Sequence, residues 1–570
     1  MKLPLLLLLP LVWSSAGAAP QAAQLTPPAA PAPTAEIWTR YLEAADKGQV
    51  LPDFSLAGYR GGLTGIPDSF PNLKTFNIAD YGAVANDQKS DQEAIERAIR
   101  AAEAAGGGVV FFPPGEFWVN TDPVNTRGIE INGSHIVLKG SGTGPGGTVV
   151  FMVNHMLKND PTIKWGNKPM FTFKHKDVDY FTSNLSGRAF KTSTTLVAAV
   201  TRGAQELEVA DVRGFAAGDL IVAYAESNRP ELVSECLHGK IPHPSWARIN
   251  NRGVTFQEMT RVVAVKPADG ASSDQAQPGT LVIATSCTLA MSNQDQWKVV
   301  VVPSLQECGF EDIHFKGNFQ EVFVHHKDYI HDGGWVGVKM VGAVDSWVRR
   351  CVFTDVNGGA ALEGTMNCSI LLSAMEGNRG HGCFNMTFGS YNLVGCNVAR
   401  EDHGGINGAH GVGTSHLAHN NVTWRFKTKV RGIDFHGTFP RNTLSDLYES
   451  DDISRHGGNS DDLPNHMGGM VIWNFKRNGV AVMDYDFWKM GVVTKGKYEY
   501  TGSVIMVDPI EVGLHGTKTT IKPDSVGYIE SSGQPVLPES LYEAQLEHRY
   551  GKLPAWVNQV KAEWEKLSRE

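Results

Sequence analysis

The chain has 570 residues, with 61 glycines and 29 prolines against 19% charged residues, a composition that suits a turn-rich β protein. Its formal net charge of −9 argues against general nucleic-acid binding, although an acidic total still permits a locally basic cleft for an acidic glycan. The seven cysteines, Cys236, Cys287, Cys308, Cys351, Cys368, Cys383 and Cys396, lack metal-finger spacing, and an odd count leaves at least one outside any intrachain pair.

Met1-Lys2, the apolar run Leu3 to Val12 and Ala16-Gly17-Ala18 have the layout of a secretory signal peptide over residues 1–18. The apolar run is too short to span a bilayer, so the expected location is secreted or periplasmic, with a Gram-negative-type signal and no membrane insertion. Residues 19–50 read as a linker, rich in Ala and Pro from Ala19 to Pro33.

Residues 51–191 read as the cap and first rungs of a solenoid. Ser90 and Glu93 stand at capping-box spacing, and Ala94, Ile95, Ala98, Ile99 and Ala102 form one apolar helical stripe. Gly106-Gly107-Gly108 stops that helix, Val109 to Phe112 reads as a strand, and Pro113-Pro114-Gly115 ends it. A helix with one apolar face suits a lid over the first rung of a β-solenoid. This order, from Tyr81-Gly82-Ala83 to Pro113-Pro114-Gly115, resembles the entry segment of the pectate-lyase-like superfamily. The resemblance implies an all-β fold: a right-handed single-stranded parallel β-helix with an N-terminal capping helix, an inserted small β-domain and a C-terminal helical extension.

Between 192 and 303 short strands (Leu196 to Val200, Glu206 to Val209, Asp219 to Tyr224, Val262 to Val265, Leu281 to Thr285) lack a rung period, as an inserted β-domain would. Residues 304–510 return to rungs. Cys351, Ser373, Cys396, Asn420, Asp446 and Asn474 mark equivalent turns at a period in the twenties. The period grows along the chain, so the later rungs must extrude loops on one face. Residues 511–570 form a C-terminal extension, helical in pattern from Glu539 to Ser568, that packs back on the solenoid or caps it.

Eight histidines fall between His381 and His466, and five of them (His381, His403, His410, His436, His456) precede glycine. The rung register predicts that His381 neighbours His403 and that His410 neighbours His436, because like offsets on adjacent rungs stack about 4.8 Å apart. Asp434 and His436 share one face of a strand, within reach of Arg441 from the next turn. His436, Asp434, His410, His403 and Arg441 are therefore the catalytic candidates. His381, Arg379, Arg455, His456, Glu401 and Asp402 are the substrate-binding candidates. No metal ligands are assigned and no cofactor is expected, although a His-rich metal site is a further reading of this window. Ca²⁺ is the ion that Asp451-Asp452 or Asp461-Asp462 would suit, but neither pair has calcium-loop spacing.

Asn378-Arg379-Gly380-His381-Gly382, Asp434-Phe435-His436 with Pro440-Arg441-Asn442, His456-Gly457-Gly458 and Val471-Ile472-Trp473-Asn474 resemble a subgroup of secreted bacterial β-helix proteins. That resemblance implies carbohydrate-directed work and an acidic polysaccharide as partner. Three functions stay open. A lyase cleaving a uronic-acid or sulfated glycan by β-elimination ranks first, with histidine as base and Arg379, Arg441 or Arg455 neutralising the carboxylate. A glycoside hydrolase ranks second, pairing Asp434 with Glu401 or Asp402. A non-catalytic glycan-binding β-helix ranks third.

Overall fold

The computed structural model describes residues 31–178, 189–268, 276–378, 380–400, 410–429, 432–453, 458–489, 492–494, 497–499 and 504–569. The signal-peptide segment lies outside them. So do Arg379, Glu401, Asp402, His403, Arg455 and His456.

The chain winds into a right-handed parallel β-helix. Helix α1 (Gln92–Ala104) closes its first turn, burying Ala94, Ile95, Ala98, Ile99 and Ala102 against the solenoid core. The expected Ser90–Glu93 capping box does not form. Asp91 is the N-cap, and its carboxylate instead accepts Val84 N–H at 2.8 Å and Trp118 N–H at 2.9 Å, tying the cap to the first rungs.

One sheet takes a single strand from each successive rung: β1 (Ile129–Ile131), β2 (Phe171–Lys174), β3 (Val336–Val341), β4 (Gly358–Glu363), β5 (Phe384–Thr387) and β6 (Gly413–Ser415). A bridge from Gly413 to Asp434 continues the ladder into the next rung. Alternation buries Phe384 and Met386 in the core and leaves Asn385 and Thr387 half-buried on the outer face. Asn385, Gly413 and Asp434 are thus consecutive in one outward column.

A second parallel ladder runs Val348–Ile370–Val394–Thr423–Ser445–Ile472. Its bends place Arg350, Leu372, Cys396, Arg425, Leu447 and Asn474 in left-handed conformation (φ 48° to 55°). The stacked polar residues follow one position later. Cys351 N–H donates to Ser373 Oγ at 3.2 Å, and Ser373 N–H to Asn397 Oδ1 at 2.7 Å. The expected turn series therefore holds at Cys351 and Ser373, slips by one at Cys396 and Asn474, which form the bends themselves, and fails at Asp446, which aligns with Gly395, and at Asn420, which aligns with Tyr391.

The strands from Ser193–Thr195 to Lys298–Val301 form a six-stranded sheet, antiparallel throughout, outside the solenoid. Helices α2 (Leu541–Tyr550) and α3 (Ala555–Leu567) pack with Phe54 and Tyr59 over the outer face of the second ladder, covering Trp347, Trp424 and Trp473. That flank is dry and structural. The seven cysteines are all free thiols, and six are buried. No described helix is long and apolar enough to cross a membrane.

Candidate active site

The outer face around β5, β6 and Asp434 gathers imidazoles from consecutive rungs. His381 and His410 stand three residues ahead of β5 and β6, so they stack: His410 N–H donates to His381 C=O at 3.1 Å, and their ring centroids lie 5.1 Å apart. His410 and His436 rings follow at 5.0 Å; the expected contact forms, but not at the like offsets from which it was expected, since Gly413 aligns with Asp434. The expected His381–His403 contact falls outside the described residues.

Asp434 is the hub. His410 Nδ1 lies 2.9 Å from its Oδ1 and His436 Nδ1 lies 2.7 Å from its Oδ2, with Asp434 only 4% exposed. Burial alone would push its carboxyl up, but the two imidazoles outweigh it and hold Asp434 well below the usual carboxylate range. Burial depresses His436 as well, yet the charge of Asp434 and its hydrogen bond overcome that and raise the imidazole above its ordinary value. His436 keeps 31% of its side chain exposed, with Nδ1 turned to Asp434. His381 goes the opposite way: burial first, then the neighbouring imidazoles, push it down to about 3.

Sequence reasoning missed three members of this cluster. His325, His326 and Asp332 come from the segment between Lys316 and β3, far ahead of the dense histidine window. His325 Nε2 lies 3.2 Å from His381 Nε2, and its ring is 5.5 Å from that of His410. His326 stacks on His325 at 3.7 Å and meets Asp332 Oδ2 through Nδ1 at 2.8 Å. The segment is pinned from below: Asp328 Oδ1 accepts His331 N–H at 2.9 Å, and His331 Nε2 meets Glu321 Oε2 at 3.0 Å. The His325-His326 doublet was the available signal, overlooked because it carries no rung period.

Arg441 does not join the cluster. It is buried against the inserted sheet, its guanidinium 2.8 Å from Glu258 Oε1 and donating to Gln257 C=O at 2.8 Å. The alternation that turns Asp434 outward on one side of the rung carries Arg441 past a bend, at the base of the insert. The other described arginines of the window face elsewhere too, Arg400 toward Glu376 and Leu567 C=O, Arg425 toward Glu539 and Glu543. His416, His419 and His466 are structural: His416 stacks on Phe388 at 5.2 Å, His419 is fully buried beside Glu258, and His466 packs on Phe435.

Five imidazoles and two carboxylates here fall into three overlapping sets of ligand atoms, His325/His381/His410, His326/Asp332/His381 and His410/Asp434/His436, each within 4.8 Å. Imidazole-rich donors suit zinc-type ions better than Ca²⁺, which prefers oxygen. The acidic pairs make no comparable set: Asp452 hydrogen-bonds Tyr485, and Asp462 pairs with Arg248 at 2.6 Å.

Residues 75–229 match the family described as rhamnogalacturonase A/epimerase, pectate lyase-like, and residues 407–560 match a domain of unknown function, DUF4955. The early rungs are therefore similar to the pectate-lyase-like class. All described members of the cluster from His410 onward lie on the DUF4955 segment. Among curated proteins, mannuronan C5-epimerase AlgE3 of Azotobacter vinelandii is 38% identical over 84 residues (15% of this chain, 4% of that protein). Alginate lyase 7 of the same organism is 37% identical over 79 residues, 14% of this chain and 9% of its own length. Rhamnogalacturonase A of Emericella nidulans is 37% identical over 106 residues, 18% of this chain and 19% of its own length. The chain thus spans under a tenth of the length of the first epimerases it matches. Among solved structures, the AlgE6 A-module of Azotobacter vinelandii aligns with 80% of this chain and 100% of its own at a TM-score of 0.35 and 13% identity. The exopolygalacturonase of Thermotoga maritima aligns over 89% and 97% at 0.29 and 12%.

Proposed function

We propose that the protein is a secreted polysaccharide lyase that cleaves an acidic, uronate-containing glycan by β-elimination. The observation that carries this reading is Asp434 shared between His410 and His436. A carboxylate so engaged, buried and held ionised is a poor acid and a blocked nucleophile, which weakens the hydrolase reading built on it. What the arrangement presents to solvent is an imidazole. Asp434 accepts a hydrogen bond from His436 Nδ1–H, fixing the tautomer that leaves Nε2 as the base.

In the proposed step, His436 Nε2 takes the C5 proton of a uronate. The C5–H electrons form the C4=C5 double bond as the C4–O4 bond breaks, and the departing O4 recovers a proton from the imidazolium. Asp434 stabilises that imidazolium while it exists. Names of relatives that include an alginate lyase, C5-epimerases and a rhamnogalacturonase support an acidic glycan as substrate class. The test is whether the protein generates an ultraviolet-absorbing unsaturated uronate from such a glycan. Reducing ends formed without that chromophore would replace elimination with hydrolysis.

A further inference from the structure

The imidazoles that His436 does not account for form a site of their own. His325 and His381 point Nε2 at Nε2 across 3.2 Å. Two imidazole nitrogens at that separation need a shared proton or a shared cation between them. Tetrahedral zinc, with Zn–N of about 2.0–2.1 Å, sets its ligand nitrogens roughly 3.3 Å apart. The third nitrogen comes from His410, whose Nε2 is buried and makes no hydrogen bond, on a side chain only 8% exposed. Its Nδ1 faces Asp434 Oδ1 at 2.9 Å, so Nε2 is the nitrogen left to ligate. Asp434 Oδ1 is likewise buried without an aligned hydrogen bond. A buried polar atom left unmatched costs stability.

We propose that His325, His381 and His410 hold one divalent transition-metal ion of zinc type, with Asp434 as the carboxylate behind His410. Each of the three brings a ring nitrogen within 4.8 Å of the other two. The Asp434–His410 contact is the outer-shell arrangement that orients a metal-bound imidazole and raises its basicity. His326, braced by Asp332, stacks on His325 and steadies the segment that delivers it. Three protein ligands leave a fourth position open to solvent or substrate. Resting on the elimination reading above, that position suits the substrate carboxylate, the role for which no described arginine of the window is free: Arg400, Arg425 and Arg441 all bind other elements.

The test is metal binding by the full chain, read without any glycan. Chelator-stripped protein is titrated with Zn²⁺ by calorimetry and with Co²⁺ by visible spectroscopy. The expected result is one ion per chain, with the intense visible bands of four-coordinate Co²⁺. His325→Ala, on an exposed segment, lowers Zn²⁺ affinity by more than 100-fold at unchanged melting temperature, and Asp434→Asn lowers it about 10–100-fold. His436→Asn keeps the ion. Absence of stoichiometric binding, or binding that survives His325→Ala, overturns the site. Zn²⁺ binding by a protein that yields no unsaturated product supports the site and removes the lyase reading; product formed by protein that binds no Zn²⁺ overturns the site alone.

Discussion

His410 and His436 approach opposite oxygens of Asp434 at 2.9 and 2.7 Å, so two successive rungs share one buried carboxylate. His410 faces inward to the imidazole cluster and His436 outward to solvent. In the proposed scheme the carboxylate couples the imidazole cluster to the base.

If His436 is the base, its imidazole is needed for turnover but not for the fold. His436→Asn keeps a side-chain N–H near Asp434 Oδ2 while removing the base. Activity on a susceptible glycan falls about 10²–10⁴-fold, the usual contribution of a general base, with the melting temperature unchanged within about 2 °C. A large drop in melting temperature would mark His436 as structural.

Gly413 keeps the outer column open between Asn385 and Asp434. A Cβ there would press on the side-chain oxygen of Asn385 and come within 3.5 Å of Asp434 Oδ2. Gly413→Ala therefore forces the Asn385 side chain to shift beside the hub, while Asp434 itself stays at ordinary contact distance. Misplacement on the ångström scale costs up to about 10²-fold in rate, so turnover falls by at least 10-fold in folded protein. Unchanged kinetics would show that the column does not face the substrate.

Arg441 is a bolt between the insert and the solenoid. Its side chain and that of Glu258 are 8% and 6% exposed, and removing one charge strands the other. Arg441→Met destabilises the protein by about 3–5 kcal/mol and makes residues 192–303 more sensitive to protease, while the folded fraction keeps its activity. Lost activity at full stability would return Arg441 to the catalytic list.

Burial pushes the Asp446 carboxyl up to about 7, although it accepts Ser540 Oγ–H at 2.5 Å and Tyr542 N–H at 2.9 Å at the start of α2. The folded chain then keeps a proton that the unfolded chain has released, from the ordinary Asp value near 3.8 up to about 7. Through that window the group's contribution to stability falls as pH rises, and it is flat above. Asp446→Asn mimics the protonated form. Its melting temperature relative to wild type therefore rises between pH 5 and 8; a constant difference would contradict the shift.

The cap and the strands were legible because their signals are local. An apolar stripe marks α1, and alternation puts Asp434 and His436 on one face. The rung register was not legible past Ser373. Its bends need only one left-handed residue, and Leu372, Cys396 and Arg425 share no side-chain property that would announce it. His325 and Asp332 were invisible for another reason: a loop before β3 carries them over the histidine window, and no period relates them to it. Arg441 looked available because its partner, Glu258, comes from the insert.

The measurement that tests the central claim is incubation of the purified protein with a panel of uronic-acid and sulfated glycans, following ultraviolet absorbance and reducing ends together. Absorbance and reducing ends rising in step on a uronate glycan, and abolished by His436→Asn, is the predicted result. Reducing ends without absorbance would contradict elimination and turn attention to Asp434 and its carboxylate neighbours.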